Sequence, residues 1–205
     1  MTTEASSRQP RLPLEVRRQQ VLDAALDLIV EKGFAGTTME AIARRAGLAK
    51  PVVYNAYRRL GPLLEALIAR EQARALEPLL APLPNEELAS TEPEEVLRAW
   101  IERMVQSIQA DQRLWRLVLM PPEGAPRQLQ AAIRNGREQA RGRLVELIVP
   151  AQSARPGLAE LDPGWLAHAV LAVCEHFARE MLAEPEEFTP ARLHDFAQRM
   201  LALIS

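Results

Sequence analysis

A single cysteine, Cys174, is all the thiol this chain carries. That excludes an intramolecular disulfide framework and a paired-cysteine zinc motif, and it fits a reducing compartment. Aromatic residues are scarce at 4% while apolar residues as a whole reach 48%, with Ala, Leu, Arg and Glu abundant; this balance favours helices over sheet. Only two of the 25 cations are lysines. No apolar run approaches the ~20 residues that span a bilayer, so no membrane partner is predicted. The polar start, MTTEASSRQPR, offers no hydrophobic segment for secretion, and the expectation is a cytoplasmic protein. A glycine-rich phosphate loop and a G-x-S-x-G elbow are both missing.

The three histidines do not restore an enzyme. His168, Cys174 and His176 fall on one predicted helix, six and two residues apart, whereas stacked ligands need the i, i+4 spacing. His168 and His176 share a face only roughly and read as core or interface residues; His194 stands alone. No catalytic residue, metal site or cofactor is predicted.

What is present is asymmetric charge. Residues 1–60 carry ten Arg and Lys against six Asp and Glu, net +4, while the remainder is net −6. A basic N-terminal part on an acidic remainder fits a nucleic-acid reader joined to a domain of another kind. At 205 residues and 22.9 kDa the chain has ample length for a buried core.

The organising stretch is TTMEAIARRAGLAKPVVYNAY, Thr37 to Tyr57. Thr37 as N-cap with Glu40 three residues on has the spacing of a capping box. Met39, Ile42, Ala43 and Ala46 recur as one apolar helical face. Gly47 suits the exit from that helix, because glycine takes the left-handed conformation without a steric cost, and Leu48 packs back under the turn. Pro51 fits the first turn of a second helix, with Lys50 or Ala49 before it as the cap. Val53 and Tyr57 face inward, which leaves Lys50, Val52, Tyr54 and Asn55 outward. A cation, a methyl-bearing side chain, a phenol and an amide on one free face can meet phosphates, thymine methyls and base edges in a major groove. A helical adaptor whose hairpin binds protein is the alternative, and salt dependence separates the two.

With these residues in order, VLDAAL, EKGFAGTTMEAIARRAGLAK, VVYNAY and LLEAL, the segment from Arg17 to about Glu71 resembles the DNA-binding domain of the tetracycline-repressor (TetR) family. The resemblance implies an all-α homodimer: a three-helix helix-turn-helix head at 13–61, after an arm at 1–12 that is expected to be disordered, and a helical effector-binding and dimerisation domain at 62–205. It implies a one-component regulator, a repressor on a palindromic double-stranded DNA operator, released by a small molecule; effector-independent regulation is the variant reading. Thr38 and Tyr54 are then expected to hold phosphates, Lys50 and Asn55 to donate to base edges, and Val52 to pack on a thymine methyl, with Pro51 and Arg58 at the same surface. The chain departs from the family where a lysine usually touches a phosphate: Leu60, Gly61 and Pro62 stand there, with Arg58 and Arg59 just upstream.

Further along, Leu14–Lys32 reads as the first helix, followed by Gly33, and Phe34 as a plug in the head's core. Pro62–Leu80 reads as a connecting helix ending near Pro78, which in the family couples effector and head spacing. APLPNEELASTEP reads as a link, with Thr91 and Glu94 restarting a helix. Glu94–Ala110, Gln112–Met120, Arg127–Val149 and Asp162–Ala183 follow as helices, with AQSARPGLAELDPG as a loop and Thr189 opening the last helix. Gly136 and Gly142 within a helix point to packing, a bend or a ligand. Trp100, Met104, Trp115, Leu119, Ile133 and Phe177 are the pocket candidates, and their character favours an apolar or aromatic effector. The Asp162–Ala183 helix is apolar on two sides and must be covered on both; the resemblance places it and the last helix at a dimer interface, for which Ala167, Leu171, Cys174, Ala178, Phe196 and Met200 are the candidates.

Overall fold

The computed structural model describes residues 13–83, 93–154, 156–193, 195, 196 and 199. The expected arm at 1–12, most of the proline-rich link, Thr91 with its capping box, His194 and Met200 lie outside them. All regular secondary structure among the described residues is helical. The chain divides into two compact units, one ending at Leu67 and the other starting at Ile68.

The first unit holds α1 (Leu14–Lys32), α2 (Met39–Arg45) and α3 (Lys50–Ala56), packed on one another, and the opening turns of α4 (Leu60–Leu80). Val21, Ala25, Leu26 and Ile29 of α1 are wholly buried, together with Ile42, Val53 and Leu63. Phe34 stays half-exposed and is no core plug; the smaller aliphatic side chains fill that space. Thr37 is buried and its hydroxyl donates to Gly33 O at 2.9 Å. The cap of α2 is therefore the next residue, Thr38, whose Oγ1 accepts from Ala41 N at 3.1 Å. This shift of one residue removes Glu40 from the N3 position, so the expected capping box does not form.

The exit from α2 follows the sequence closely. Gly47 has φ 64°, its N–H donates to Arg44 O at 3.2 Å, and Leu48 N donates to Ala43 O at 3.0 Å. These two bonds make a Schellman turn, which needs a left-handed residue at this point. Gln20 Nε2 donates to Ala46 O at 3.0 Å and ties the end of α2 to α1. Ala49 caps α3 through its backbone, without a side-chain bond, and Lys50 is already helical.

The second unit continues α4 and adds α5 (Pro93–Ala110), α6 (Gln112–Leu119), α7 (Arg127–Ala154), the single turn α8 (Pro156–Ala159) and α9 (Pro163–Ala183). Its core holds Trp100, Ile108, Leu144, Ala178 and Leu182, all nearly inaccessible. Two helices run through prolines at which the sequence predicts an end. Pro78 lies inside α4 and Pro150 inside α7; α7 reaches Ala154, so the loop expected after Val149 begins as helix. Each proline frees the carbonyl four residues earlier, on Arg74 and Glu146, and both residues are exposed, so water can take up the lost bond. Gln152 Nε2 then donates to Leu158 O and Leu161 O, at 2.8 and 2.7 Å, and gathers the turn around α8.

Caps and cross-helix arginines fix the rest. Asp162 accepts from Trp165 N at 2.9 Å and starts α9. Arg116 of α6 donates to Leu182 O at 2.6 Å, and Arg179 of α9 donates to Leu119 O at 3.2 Å. Each cation thus meets the carbonyl end of the other helix, where the helix dipole favours positive charge. At Gly142 an added Cβ would meet nothing within 4 Å. The Gly142→Ala variant is accordingly expected to gain roughly 0.5–1 kcal/mol, the helix-interior difference between the two residues; an unchanged or lower urea midpoint would contradict this.

Among the described residues no helix is long and apolar enough to cross a membrane, and no group of three or more His, Cys, Asp or Glu is placed to hold a metal ion. Burial pushes the Cys174 thiol up to about 12.

Candidate DNA-reading face and small-molecule cavity

In the first unit, the outward side of α3 presents Lys50, Pro51, Tyr54 and Asn55 to solvent, with Val52 half-buried beside them and Arg58 exposed just past the helix. Thr38 is exposed at the start of α2; its oxygen accepts the capping bond, which leaves the hydroxyl proton to donate elsewhere. Ala56 and Val53 hold the opposite side of α3 in the core. Tyr57, expected to face inward, is half-buried with the Arg18 guanidinium 5.9 Å from its ring centroid.

One residue of this face has a role other than the one its sequence spacing predicts. Glu40, freed from capping, turns toward α3: Tyr54 OH donates to its Oε1 at 3.3 Å, and Lys50 Nζ lies 3.9 Å from the same oxygen. Desolvation, the Glu40 charge and this hydrogen bond together raise the Tyr54 pKa, so the phenol remains a neutral donor through the physiological range. Glu40 holds two donors in place but adds a negative charge where polyanion would approach. Glu40→Gln is expected to raise affinity for duplex DNA by about 2- to 5-fold, the scale of one exposed charge interaction. The gain should shrink as salt rises, and weaker binding in a low-salt fluorescence titration would count against the arrangement. Arg45 is occupied otherwise, pairing with Glu31 at 2.5 Å through Nη1, with Asp27 3.9 Å away.

In the second unit a cavity of ≈ 70 Å³ lies among α4, α5, α6, α7 and α9. Met104, Trp115, Leu119 and Ile133, four of the six pocket candidates, line it. Trp100 and Phe177 do not. Trp100 is fully buried and donates Nε1–H to Leu79 O at 2.9 Å; Phe177 sits on another face of α9, its ring centroid 5.5 Å from that of Phe196. Leu76, Leu129, Gly136 and Ala140 complete much of the apolar wall. At Gly136 an added Cβ would sit 3.8 Å from Leu76 Cδ2, an ordinary contact, so the glycine widens the cavity without being forced by a clash.

Charge enters the wall at two places. Glu71 is 1% exposed; Arg70 Nε donates to its Oε1 at 2.6 Å and Arg74 Nη1 to its Oε2 at 2.8 Å. Arg74 also bonds Asp111 Oδ2 at 2.7 Å, and Asp111 caps α6 by accepting from Arg113 N and Leu114 N. Burial pushes the Asp111 carboxyl up, but the bonds from Leu114 N–H and Arg74 outweigh it and hold it below the usual range. The second place is Glu175, whose Oε1 accepts from Arg137 Nε at 2.6 Å and Oε2 from Arg179 Nη2 at 2.7 Å.

The residues expected at a subunit interface divide. Ala167 is buried within its own unit and Leu171 lines the cavity; Cys174 and Ala178 are buried as well, yet both line the groove on the outward side of α9. The outward side carries Val173 at 53% exposure, with Phe196 at 47% beyond it. A groove formed by Leu97, Ile101, Val105, Val170, Val173 and Phe196, among others, runs along this side.

Residues 21–66 match the family described as bacterial regulatory proteins, tetR family. The HTH-type transcriptional activator FasR of Mycolicibacterium smegmatis is 28% identical over 172 residues, 84% of this chain and 75% of that protein. Other curated relatives, such as BetI of Escherichia coli at 40% identity, match over 55–58 residues, 27–30% of their length. Among solved structures, a TetR-like transcriptional regulator from Rhodococcus sp. RHA1 superposes with a TM-score of 0.65 at 29% identity, covering 94% of this chain and 99% of that one. FadR of Bacillus subtilis, solved in complex with stearoyl-CoA, shares the fold with a TM-score of 0.64 at 16% identity, covering 91% and 96%.

Proposed function

We propose that this chain, which belongs to the TetR family of transcriptional regulators and is not an enzyme, works as a cytoplasmic homodimer on a palindromic operator and is released from it by a small apolar effector. The observation that carries the reading is the outward side of α3, where Lys50, Tyr54 and Asn55 are exposed while Val53 and Ala56 anchor the helix from behind. Tyr54 and Thr38 donate to phosphates and set the register; Lys50 and Asn55 reach base edges; Val52 and Pro51 supply apolar contact; Arg58 takes the place of the phosphate-binding lysine that Leu60 replaces. Two heads in one dimer meet the same groove one turn apart, about 34–36 Å, which selects a palindrome.

The dimer rests on the outward side of α9, where Val173, Cys174, Phe177 and Ala178 line one groove with Phe196. The effector site is the cavity around Met104, Trp115, Leu119 and Ile133, which at ≈ 70 Å³ must widen to admit a ligand and whose predominantly hydrocarbon wall favours an alkyl or aryl group. The ligand must prefer a head spacing that misfits the operator, a coupling typically worth ~1–3 kcal/mol. The name of FasR, an activator, supports a second reading in which the bound dimer raises transcription.

Selection of bound sequences from random DNA tests the proposal, with the mass of the particle measured in the same buffer. The expected result is a palindromic consensus, a mass of two chains, and affinity that falls steeply with salt. A single-chain particle, or binding without a consensus, would overturn it. A reporter gene behind the selected sequence then gives the sign of regulation.

A further inference from the structure

A carboxylate stands among the groups of the α3 face. Because Thr38 caps α2, Glu40 is released from the helix start and turns toward α3. Its Oε1 accepts from Tyr54 OH at 3.3 Å and lies 3.9 Å from Lys50 Nζ. Among the described residues no hydrogen bond or ion pair takes its Oε2. Both side chains are open to solvent, Lys50 at 64% and Glu40 at 47%. A cation and an anion thus stand side by side, their spacing set by the Gly47 turn that joins the two helices.

Phosphates repel a carboxylate, and in the major groove it finds donors only at the amino groups of cytosine and adenine. The two differ in what flanks the amino group. Adenine N6 lies between two acceptors, its own N7 and O4 of the paired thymine, so a carboxylate there meets repulsion on either side. Cytosine N4 has a C–H on one side; on the other come guanine O6 and then N7, two acceptors that suit an ammonium. Across the groove a G·C pair therefore offers acceptor, acceptor, donor, the complement of a lysine beside a glutamate. From this we infer that Lys50 and Glu40 together read one G·C base pair in each half-site, with the Lys50 ammonium on guanine O6 and N7 and Glu40 Oε2 on cytosine N4. The inference rests on the reading of the α3 face as the operator-binding surface and deepens it. Reversing the pair sets ammonium against amino group and carboxylate against O6, so Glu40 selects by repulsion as well as by attraction. The gain on arbitrary duplex expected of Glu40→Gln has the same origin, since the carboxylate weakens binding everywhere except opposite cytosine.

Selection from random DNA with the full chain gives the half-site, and base analogues placed in it test the two contacts separately. N4-methylcytosine still pairs with guanine but carries its methyl where the major-groove amino hydrogen was; 7-deazaguanine lacks N7. At one G·C pair, N4-methylcytosine in both half-sites is expected to weaken binding by at least about 10-fold, the scale of a hydrogen bond to a charged group. In Glu40→Ala the same analogue should change affinity by less than about 2-fold. At the partner base, 7-deazaguanine should cost about 3-fold, because O6 remains for the ammonium, and Lys50→Met should abolish that loss. A Glu40 that merely held Lys50 in place would leave N4-methylcytosine without effect. A half-site lacking a G·C pair, tolerance of N4-methylcytosine at every position, or a loss that persists in Glu40→Ala overturns the inference and leaves α3 as the operator-binding face. Binding without any consensus removes that reading, and this inference with it.

Discussion

Replacing Trp100 with alanine is expected to destabilise the second unit by about 3–5 kcal/mol, the usual cost of deleting a large buried aromatic side chain. Trp100 is 0% exposed and lies at the centre of the core formed with Met104, Leu144, Ala178 and Leu182. Its removal opens a void that rigid helices close only in part, and it strips Leu79 O of the indole N–H that satisfies it at 2.9 Å. Against a total stability of roughly 5–15 kcal/mol for a domain, a loss of that size brings the unit close to unfolding at 37 °C. Urea unfolding followed by circular dichroism checks it. Trp165, 76% exposed, is the control, and Trp165→Ala should stay within about 0.5 kcal/mol. Equal midpoints for the two variants would show that the core does not depend on Trp100.

Lys50→Glu is expected to weaken operator binding by about 30-fold or more. A lost base-edge contact is worth about 1–3 kcal/mol; two heads in a proposed dimer double it, and each 1.4 kcal/mol is a factor of ten. The new carboxylate would stand beside Glu40, 3.9 Å from where the ammonium sits, and both would face phosphate. Folding should be spared, because an acidic residue in the first turn of α3 suits the helix dipole. A gel shift at fixed salt, read beside a thermal melt, separates the effects. Unchanged affinity would take Lys50 out of the interface; a collapsed melting temperature would assign the loss to folding.

The head was legible because its information is local. The spacing of Met39, Ile42 and Ala43, the glycine at 47 and the proline at 51 each act over a few residues, and together they leave one arrangement of α2 and α3. The cap was misplaced by a single position because Thr37 and Thr38 are chemically equivalent along the chain; only the bond from Thr37 to Gly33 O, set by the approach of α1, distinguishes them. Glu40 illustrates the same limit, since a carboxylate near a helix start serves the cap or the neighbouring helix with equal ease. In the second unit, choosing large apolar residues found Met104 and Trp115 but could not separate Trp115 from Trp100. Both are buried tryptophans, and which one borders empty space depends on the register between α5 and α6. Arg137 and Glu175 lie 38 residues apart, so their pairing belongs to the packing of α7 on α9 and leaves no trace in either segment. That α9 is apolar on two sides was legible, but which side its own unit covers was not: Ala167 is wholly buried while Val173 stays exposed.

Cys174 has a practical consequence. Its thiol is buried and pushed up to about 12, and thiol-directed reagents attack the thiolate, so the chain is expected to react only slowly with maleimides and methanethiosulfonates. A Val16→Cys variant, made at a position 47% exposed on α1, would then carry the single reactive handle per chain among the described residues. Spin labels placed there would report the separation of the two heads of the proposed dimer directly, with and without a bound small molecule, and no background label would need to be removed first.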